Sequence, residues 1–414
     1  MYKFVCFLVL VINVTSCGNL LPNRLHEFSD INPDSILNIS GEMYGSGTPL
    51  TIDIPNFSSN DEITRVIDEV FDSVFVVKLE TRDNCIIGRI NQVSILNDTI
   101  YVRDLAMTKN ICEFDMNGKF LRSIGNKGNG PFEYVEPTDM HVTNDGIIIY
   151  DQWQHKLIKY KHDGTPIYDK KIPFICNQVF QLKNGDFMFR IISPENNHLN
   201  SIKEYQLWHT DSTFTIKKVG LSRKGSVISI WNPFVFIRSD TEAYFHNEIT
   251  DTLYHIDGSG VLGSRLCFKF PRNHSKEAMY NFDLFRDQYM SIPSFCFVND
   301  NYLIYTVYES KRQVYVFENL DSKSTKLITK WNLRKSNLSR ILHFEDILTA
   351  YEDFVVTSMP SWGLIKRFKA TLRDSANVWC DAPDHVFERD RSLVESLTDD
   401  DNDVLVFFRL RKDL

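Results

Sequence analysis

After residue 17, no stretch approaches the ~20 consecutive apolar residues that a membrane-spanning helix needs. Nothing beyond the start of the chain is therefore expected to cross a bilayer as a helix. No cysteine pair is spaced CxxC, and the six cysteines after Cys17 (Cys85, Cys112, Cys176, Cys267, Cys296 and Cys380) are widely scattered. That spacing excludes a zinc knuckle and a dense disulfide framework. The apolar neighbours of these cysteines predict buried free thiols instead. The eleven histidines form no HExxH or HxxxH pattern, and the sialidase-type Asp box is missing. Neither charge sign dominates, with 46 Lys and Arg against 54 Asp and Glu, so no surface is built for nucleic-acid phosphates.

Glycine is also scarce, 18 in 414 residues, yet Gly125, Gly128 and Gly130 fall together in "SIGNKGNGPFEYVEPTD". A Walker loop would end in Gly-Lys-Ser/Thr and open a helix whose N-terminus holds phosphate. Here Pro131 and a strand-like segment follow, and the glycine spacing reverses that of the dinucleotide fingerprint. The loop reads as a crossover between two pieces of sheet, with glycines supplying turns at positive φ.

What is present begins with an address. Met1-Tyr2-Lys3, the apolar run from Phe4 to Val14 and the small-residue site Val14-Thr15-Ser16-Cys17 read as a secretory signal. Val14 to Cys17 resembles the bacterial lipobox, which assigns residues 1–16 to the signal peptide and implies that Cys17 is lipidated as the new N-terminus. Residues 17–52 form a lipid-anchored leader, and residues 53–414 a single domain.

That domain carries a repeat. "NQVSILNDTIYVRDLAMTKNICEFDMNGKFL" (Asn91 to Leu121) aligns with "TDMHVTNDGIIIYDQWQHKLIKYKHDGTPI" (Thr138 to Ile167). Val93 and Met140, Asp98 and Asp145, and Asp104 and Asp151 are each 47 residues apart, while Gly118 and Gly164 are 46 apart. Each copy reads as four short strands rich in Val, Ile, Tyr and Phe, separated by Asn/Asp/Gly turns. A four-stranded period in the mid-forties predicts β-propeller blades. Fading copies follow from Val179, Glu242, Phe295 and Asp346, which makes six blades of four antiparallel strands; seven is the alternative count. The last copy lacks its outer half. Val404 to Phe407 is one candidate strand. Val74 to Val77, lying 47 residues before an outermost strand, is expected to close the ring from the N-terminal side.

"KLETRDNCIIGRI" (Lys78 to Ile90), "FDMNGKFLRSIGNKGNGPFEY" (Phe114 to Tyr134) and the lipobox together resemble six-bladed propeller lipoproteins of Bacteroides-type bacteria. Those are in turn similar to NHL-repeat and TolB-like propellers. The resemblance implies an all-β propeller and an envelope location; the uncharged residues just after Cys17 carry no surface-sorting signal, so the outer membrane facing the periplasm is the expected site. It implies no set reaction. That family pattern carries a glycine before the Glu-Tyr pair, where this chain has Phe132.

Blade topology sorts the loops into two faces. With strands A to D in each blade, the AB and CD turns share one face and are tight here. The BC loops and DA crossovers share the other and are long, so this second face is the expected binding surface. It carries Trp153, able to stack on a sugar or peptide, and His155. Glu136, Asp139, Asn177 and Asn232 stand near strand starts at the channel mouth. The segment from Asn273 to Met290 is expected to be a helix across this face, and Asp384 to Leu397 a second, structural helix. Two functions compete. One is a non-catalytic binding or scaffolding propeller, most simply a monomer, for a glycan, peptide or envelope protein, without cofactor. The other is a calcium-dependent lactonase-type hydrolase using the mouth acids and amides. Ligand candidates are Trp153, His155, Glu136, Asp139 and Asn232; no metal ligand and no catalytic residue is assigned.

Overall fold

A computed structural model describes residues 28–40, 43–45, 49–54, 67–192, 196–222, 236–238, 243–247, 252–270, 290–291, 296–298, 301–309, 312–329, 337–339, 341–342, 344, 346–373 and 383–414. Six antiparallel sheets form the blades of a propeller. Blade 1 is Gln92–Leu96, Thr99–Asp104, Asn110–Asp115 and Phe120–Ser123. Blade 2 is Asp139–Thr143, Gly146–Asp151, Lys156–Tyr160 and Pro166–Lys171. Blade 3 is Gln178–Gln181, Phe187–Arg190, Tyr205–Thr210 and Ile216–Ser222. Blade 4 is Phe236–Arg238, Ala243–Asn247, Thr252–Ile256 and Leu262–Lys269. Blade 5 begins with Met290–Ser291 and Cys296–Val298, both paired to Tyr302–Glu309, and continues with Arg312–Asn319 and Thr325–Thr329. Blade 6 has Thr349–Tyr351, Phe354–Met359 and Val404–Leu410 inside, with Phe71–Lys78 as its outermost strand.

The ring is thus closed from the N-terminal side, as the repeat register requires. Val74, Phe75, Val76 and Val77 pair with Phe408, Phe407, Val406 and Leu405. A glycine makes room for the next contact. Gly118, in the CD turn of blade 1, has φ +80°, and a Cβ there would lie 2.0 Å from the Lys78 carbonyl oxygen. Glu80 N in turn donates to Gly118 O at 2.8 Å.

The hydrophobic core is divided among the blade junctions, with one apolar cluster at each of the six. Strand alternation explains the division, because successive residues face opposite neighbours. In blade 1, Ile100 and Val102 pack toward blade 6, and Tyr101 packs toward blade 2. The tight turns follow their residue chemistry. Asn97 and Asp98 both have positive φ, 48° and 56°, as a type I′ hairpin needs. Asp115, Asp211 and Asp257 recur at the end of strand C in blades 1, 3 and 4, and Asp163 sits within the CD turn of blade 2. Each turns its Oδ1 onto backbone N–H groups of its own CD turn.

Cys85, Cys112 and Cys176 are buried free thiols, and Cys267 is free and half-buried. The side chains of Cys296 and Cys380 lie outside the described residues. So does the helix expected from Asn273 to Met290, apart from Met290 itself. The connection between strands B and C of blade 6 holds two helices, α1 (Ser361–Arg373) and α2 (Asp384–Glu395). The second meets the expectation. The first was not anticipated, although Leu364, Ile365 and Phe368 carry a helical period and are buried.

Residues from Phe28 onward run along the outside of blades 3 and 4. Leu37 bridges Ile216, Tyr44 bridges Leu262, and Leu50–Asp53 adds a parallel strand to the edge of blade 4. Met43 is buried against Leu207, Leu221 and Leu262.

Candidate functional site

The glycine-rich loop comes first because it frames the site. Asn126–Lys127 pairs in parallel with Glu133–Tyr134. Gly130 N donates to Glu133 Oε2 at 2.8 Å, and Gly128 N to Tyr134 O at 2.9 Å. The Glu133 carboxylate fills the space a Cβ at Gly128 would need. One loop amide thus holds the chain's own carboxylate and another a backbone carbonyl, and a phosphate has no place there. Phe132, standing where the family pattern has glycine, adopts φ 56°. Its N–H donates to Asp169 Oδ2 at 2.8 Å, and its carbonyl accepts from the Tyr160 hydroxyl.

On the face of BC loops and crossovers, the channel opens into a cavity of ≈ 430 Å³. That lies within the range of small-ligand pockets, ~300–1,000 Å³. Its walls come from blades 1, 2, 3 and 6. The strand ends are fixed there by a repeated device. The residue just before strand A accepts from amides of its own BC loop: Asn91 Oδ1 from Leu105 N (2.8 Å), Thr138 Oγ1 from Gln152 N (3.1 Å), and Asn177 Oδ1 from Ile192 N (2.8 Å). The aspartate ending strand B staples that loop to the incoming crossover. Asp104 accepts from Met107 N and Gly88 N, and Asp151 from Trp153 N and Val135 N. Both are fully buried. Burial by itself would raise the Asp104 pKa, but the backbone N–H groups of Met107 and Thr108 and the Thr108 hydroxyl hold it below its usual value.

The acids on the cavity wall are engaged as well. Asp139 is 2% exposed and makes a two-pronged ion pair with Arg238 of blade 4, at 2.5 and 2.8 Å. Its Oδ2 also accepts from Val179 N at 2.8 Å. Arg238 donates further to the carbonyls of Val179 and Met140, so this pair ties the inner strands of blades 2, 3 and 4 together. Glu136 is paired with Lys109 at 2.7 Å. Asp346 Oδ1 accepts from the Tyr315 hydroxyl at 3.1 Å.

The arginines differ. Arg103, 6% exposed, stands on strand B of blade 1 directly opposite Gln92. It gives Nε to Gln92 Oε1 (2.9 Å), and Nη1 to the carbonyls of Pro137 (2.9 Å) and Thr138 (2.7 Å). Burial pulls its pKa down to about 10. Blade 3 repeats the pairing, with Arg190 Nη1 on Gln178 Oε1 at 3.1 Å. In blade 2 the same two positions are Asp139 and Tyr150.

Of the residues singled out from sequence, Glu136, Asp139 and Asn177 meet at this cavity. Trp153 does not line it; it follows the wall residue Gln152 on the BC loop of blade 2, with 45% of its surface exposed. His155, two residues along, points elsewhere: it is buried, with its ring 5.0 Å from that of Phe28. Asn232 lies outside the described residues. Sequence reading missed Arg103, Arg190 and Arg238. The 47-residue frame could have flagged the first, because it aligns Arg103 with Tyr150; nothing local marks the others. A second feature of this face is a half-open groove on α1. Trp362, Lys366, Lys369 and Arg373 line it at helical spacing, with Asp399 opposite. Among the described residues, no group of three or more His, Cys, Asp or Glu side chains could hold a metal ion. Nor is any helix among them long and apolar enough to cross a membrane.

The model of a domain of unknown function, DUF4934, matches residues 49–409. The chain belongs to the DUF4934 family. Its propeller is similar to the solved structure of a protein from Bacteroides fragilis NCTC 9343. That match has a TM-score of 0.70 and 18% identity, and covers 88% of this chain and 100% of the other. A member of the DUF4221 family from Bacteroides vulgatus also matches, with a TM-score of 0.40 and 10% identity over 82% and 98% of the two chains. No curated protein matches. What these comparisons show for this DUF4934 chain is the family and the fold.

Proposed function

We propose that this protein is a cell-envelope lipoprotein whose channel-mouth cavity binds a polar ligand without transforming it. Lipid attachment at Cys17 would hold it, as a monomer, at the outer membrane facing the periplasm. The solved structure from Bacteroides fragilis is described as that of an exported protein, which accords with an envelope address. A distant kinship with NHL-repeat and TolB-like propellers fits the same reading.

One observation carries the proposal: the described carboxylates on the cavity wall are engaged inside the fold, by Arg238, Lys109 and Tyr315. A general base or nucleophile needs a carboxylate able to reach substrate. A calcium-dependent lactonase would need oxygens converging on the ion. Of the mouth residues suited to that, Glu136 and Asp139 are in ion pairs and Asn177 Oδ1 accepts from Ile192 N. The lactonase reading is therefore not favoured. A rigid, polar, concave site with no described acid left over favours recognition.

The test is thermal unfolding of the full-length protein with a panel of glycans and peptides, with and without a calcium chelator. A ligand at 100 times its Kd adds about 2.7 kcal/mol. At ~2.1 cal/mol/K of unfolding entropy per residue, that is about 3–4 °C here. The expected result is a shift with at least one polar ligand, no product by mass spectrometry, and no effect of chelator. A chelator-sensitive melting temperature together with turnover would reinstate the hydrolase.

A further inference from the structure

Resting on the reading of the cavity as a binding site, we infer that it takes the carboxylate of an acidic sugar, held by Arg103. Hydrogen-bond accounting at the wall supports this. Three of the side-chain acceptors there are spent: the oxygens of Asn91, Thr138 and Asn177 hold BC-loop amides. The described carboxylates have the partners given above. Several donors remain unspent. Arg103 Nη2 makes no hydrogen bond to any described residue, nor do the Nδ2 groups of Asn91 and Asn177.

Arg103 is the strongest of these donors. It is almost fully buried, yet its partners are one amide oxygen and two carbonyls, and among the described residues it makes no ion pair. Asp139, Glu136 and Asp104 act on it only through space, so a ligand carboxylate seated on it would supply the direct ion pair it lacks. Arg89, on the rim of the same cavity, is exposed and also makes no ion pair among the described residues. Guanidinium groups present paired N–H donors that match a carboxylate. The sugar is argued from the rest of the wall. There the Gln152 side chain and the Asn91 and Asn177 amides suit hydroxyl groups.

The experiment is calorimetric titration of the full-length protein with four probes: digalacturonic acid, neutral galactobiose, the dipeptide Ala-Ala, and sodium phosphate. The acidic disaccharide should bind at least tenfold more tightly than the neutral one. Arg103→Gln should remove that difference, a tenfold loss worth about 1.4 kcal/mol. Arg103 also holds two carbonyls of the crossover, so its variant can fail to fold. Arg89→Gln is the second arm. It disturbs no packed contact, and it should weaken the acidic probe several-fold and flatten its salt dependence. Equal affinity for the two disaccharides would overturn the inference while leaving a binding site in place. Tighter binding of Ala-Ala or phosphate than of digalacturonic acid would overturn the assignment to an acidic sugar. Silence from all four probes would overturn the inference. If the glycan and peptide panel is also silent, the binding reading itself fails.

Discussion

At the scale of single residues, Asp139 shows how a functional candidate becomes a structural one. An acid near a strand start at a channel mouth is what a metal-assisted hydrolase would use. Here the same carboxylate neutralises Arg238 from two blades away, and both side chains are nearly out of solvent. Removing one member of such a pair leaves the other charge buried alone. Asp139→Ala should therefore destabilise the protein by about 3–5 kcal/mol, read as a lower urea midpoint. A loss under about 1 kcal/mol would mean that Arg238 finds another partner. Asp139 could be found by its place in the repeat, but its partner could not, because Arg238 lies 99 residues away with no pattern linking the two. His155 makes the same point: its ring packs on Phe28, 127 residues earlier and outside the blades.

Secondary-structure elements were more legible. Strand alternation and Asn/Asp/Gly turns mark most blade strands directly, and the 47-residue offset places Phe71–Lys78 as an outer strand without a blade of its own. Its role as ring closure can be tested. Val77 is 2% exposed, packs at the junction of blades 6 and 1, and pairs with Leu405. Val77→Asp would bury an unpaired carboxylate there. The expected result is a loss of several kcal/mol, with the ring melting in one earlier transition by circular dichroism. If blade 6 frays alone while the rest keeps its midpoint, closure by this strand is not what stabilises the ring. The glycine loop was also legible as a crossover from what it lacks. That Glu133 fills its amide cradle was not, since a loop's own carboxylate folding back leaves no mark in spacing. Helix α1 was missed for a different reason: its apolar period sits inside a stretch the blade frame assigned to connection.

For the whole molecule, burial at the blade junctions predicts how stability depends on pH. His246 on strand B of blade 4 is 3% exposed, and burial first, then the charge of Arg190, pulls its pKa down to about 4. Burial also lowers the pKa values of His198 and His209. A histidine whose folded pKa lies below its unfolded value of ~6.5 is protonated first in the unfolded chain. Stability is therefore intact above ~6.5 and is lost as pH falls toward 4. His246 contributes at most about 3 kcal/mol to that loss, from ~1.4 kcal/mol per pH unit. Urea midpoints between pH 7 and pH 4 should fall in the wild type and fall less in His246→Gln. Below pH 4 a second loss should begin at the CD turns. Burial alone would raise the Asp211 pKa, but hydrogen bonds from Thr213 and Lys217 hold it at about 2. That stabilisation is present above ~3.9 and disappears as pH falls through the folded value. Because Asp211 is only partly buried and solvent screens it, its share is small.

The sequence by itself determined the strand pattern, the side from which the ring closes and which face bears the long loops, and it narrowed the blade count to six or seven. These follow from local chemistry repeated at a fixed period, and a repeat needs no long-range information to be read. Tertiary structure decided which polar groups remain available. The counter-charges of Asp139 and Glu136, the packing of His155 on Phe28 and the unspent donors of Arg103 each depend on residues brought together from different blades or from outside the ring. Pairing across a channel depends on distance in space, which no single sequence period encodes.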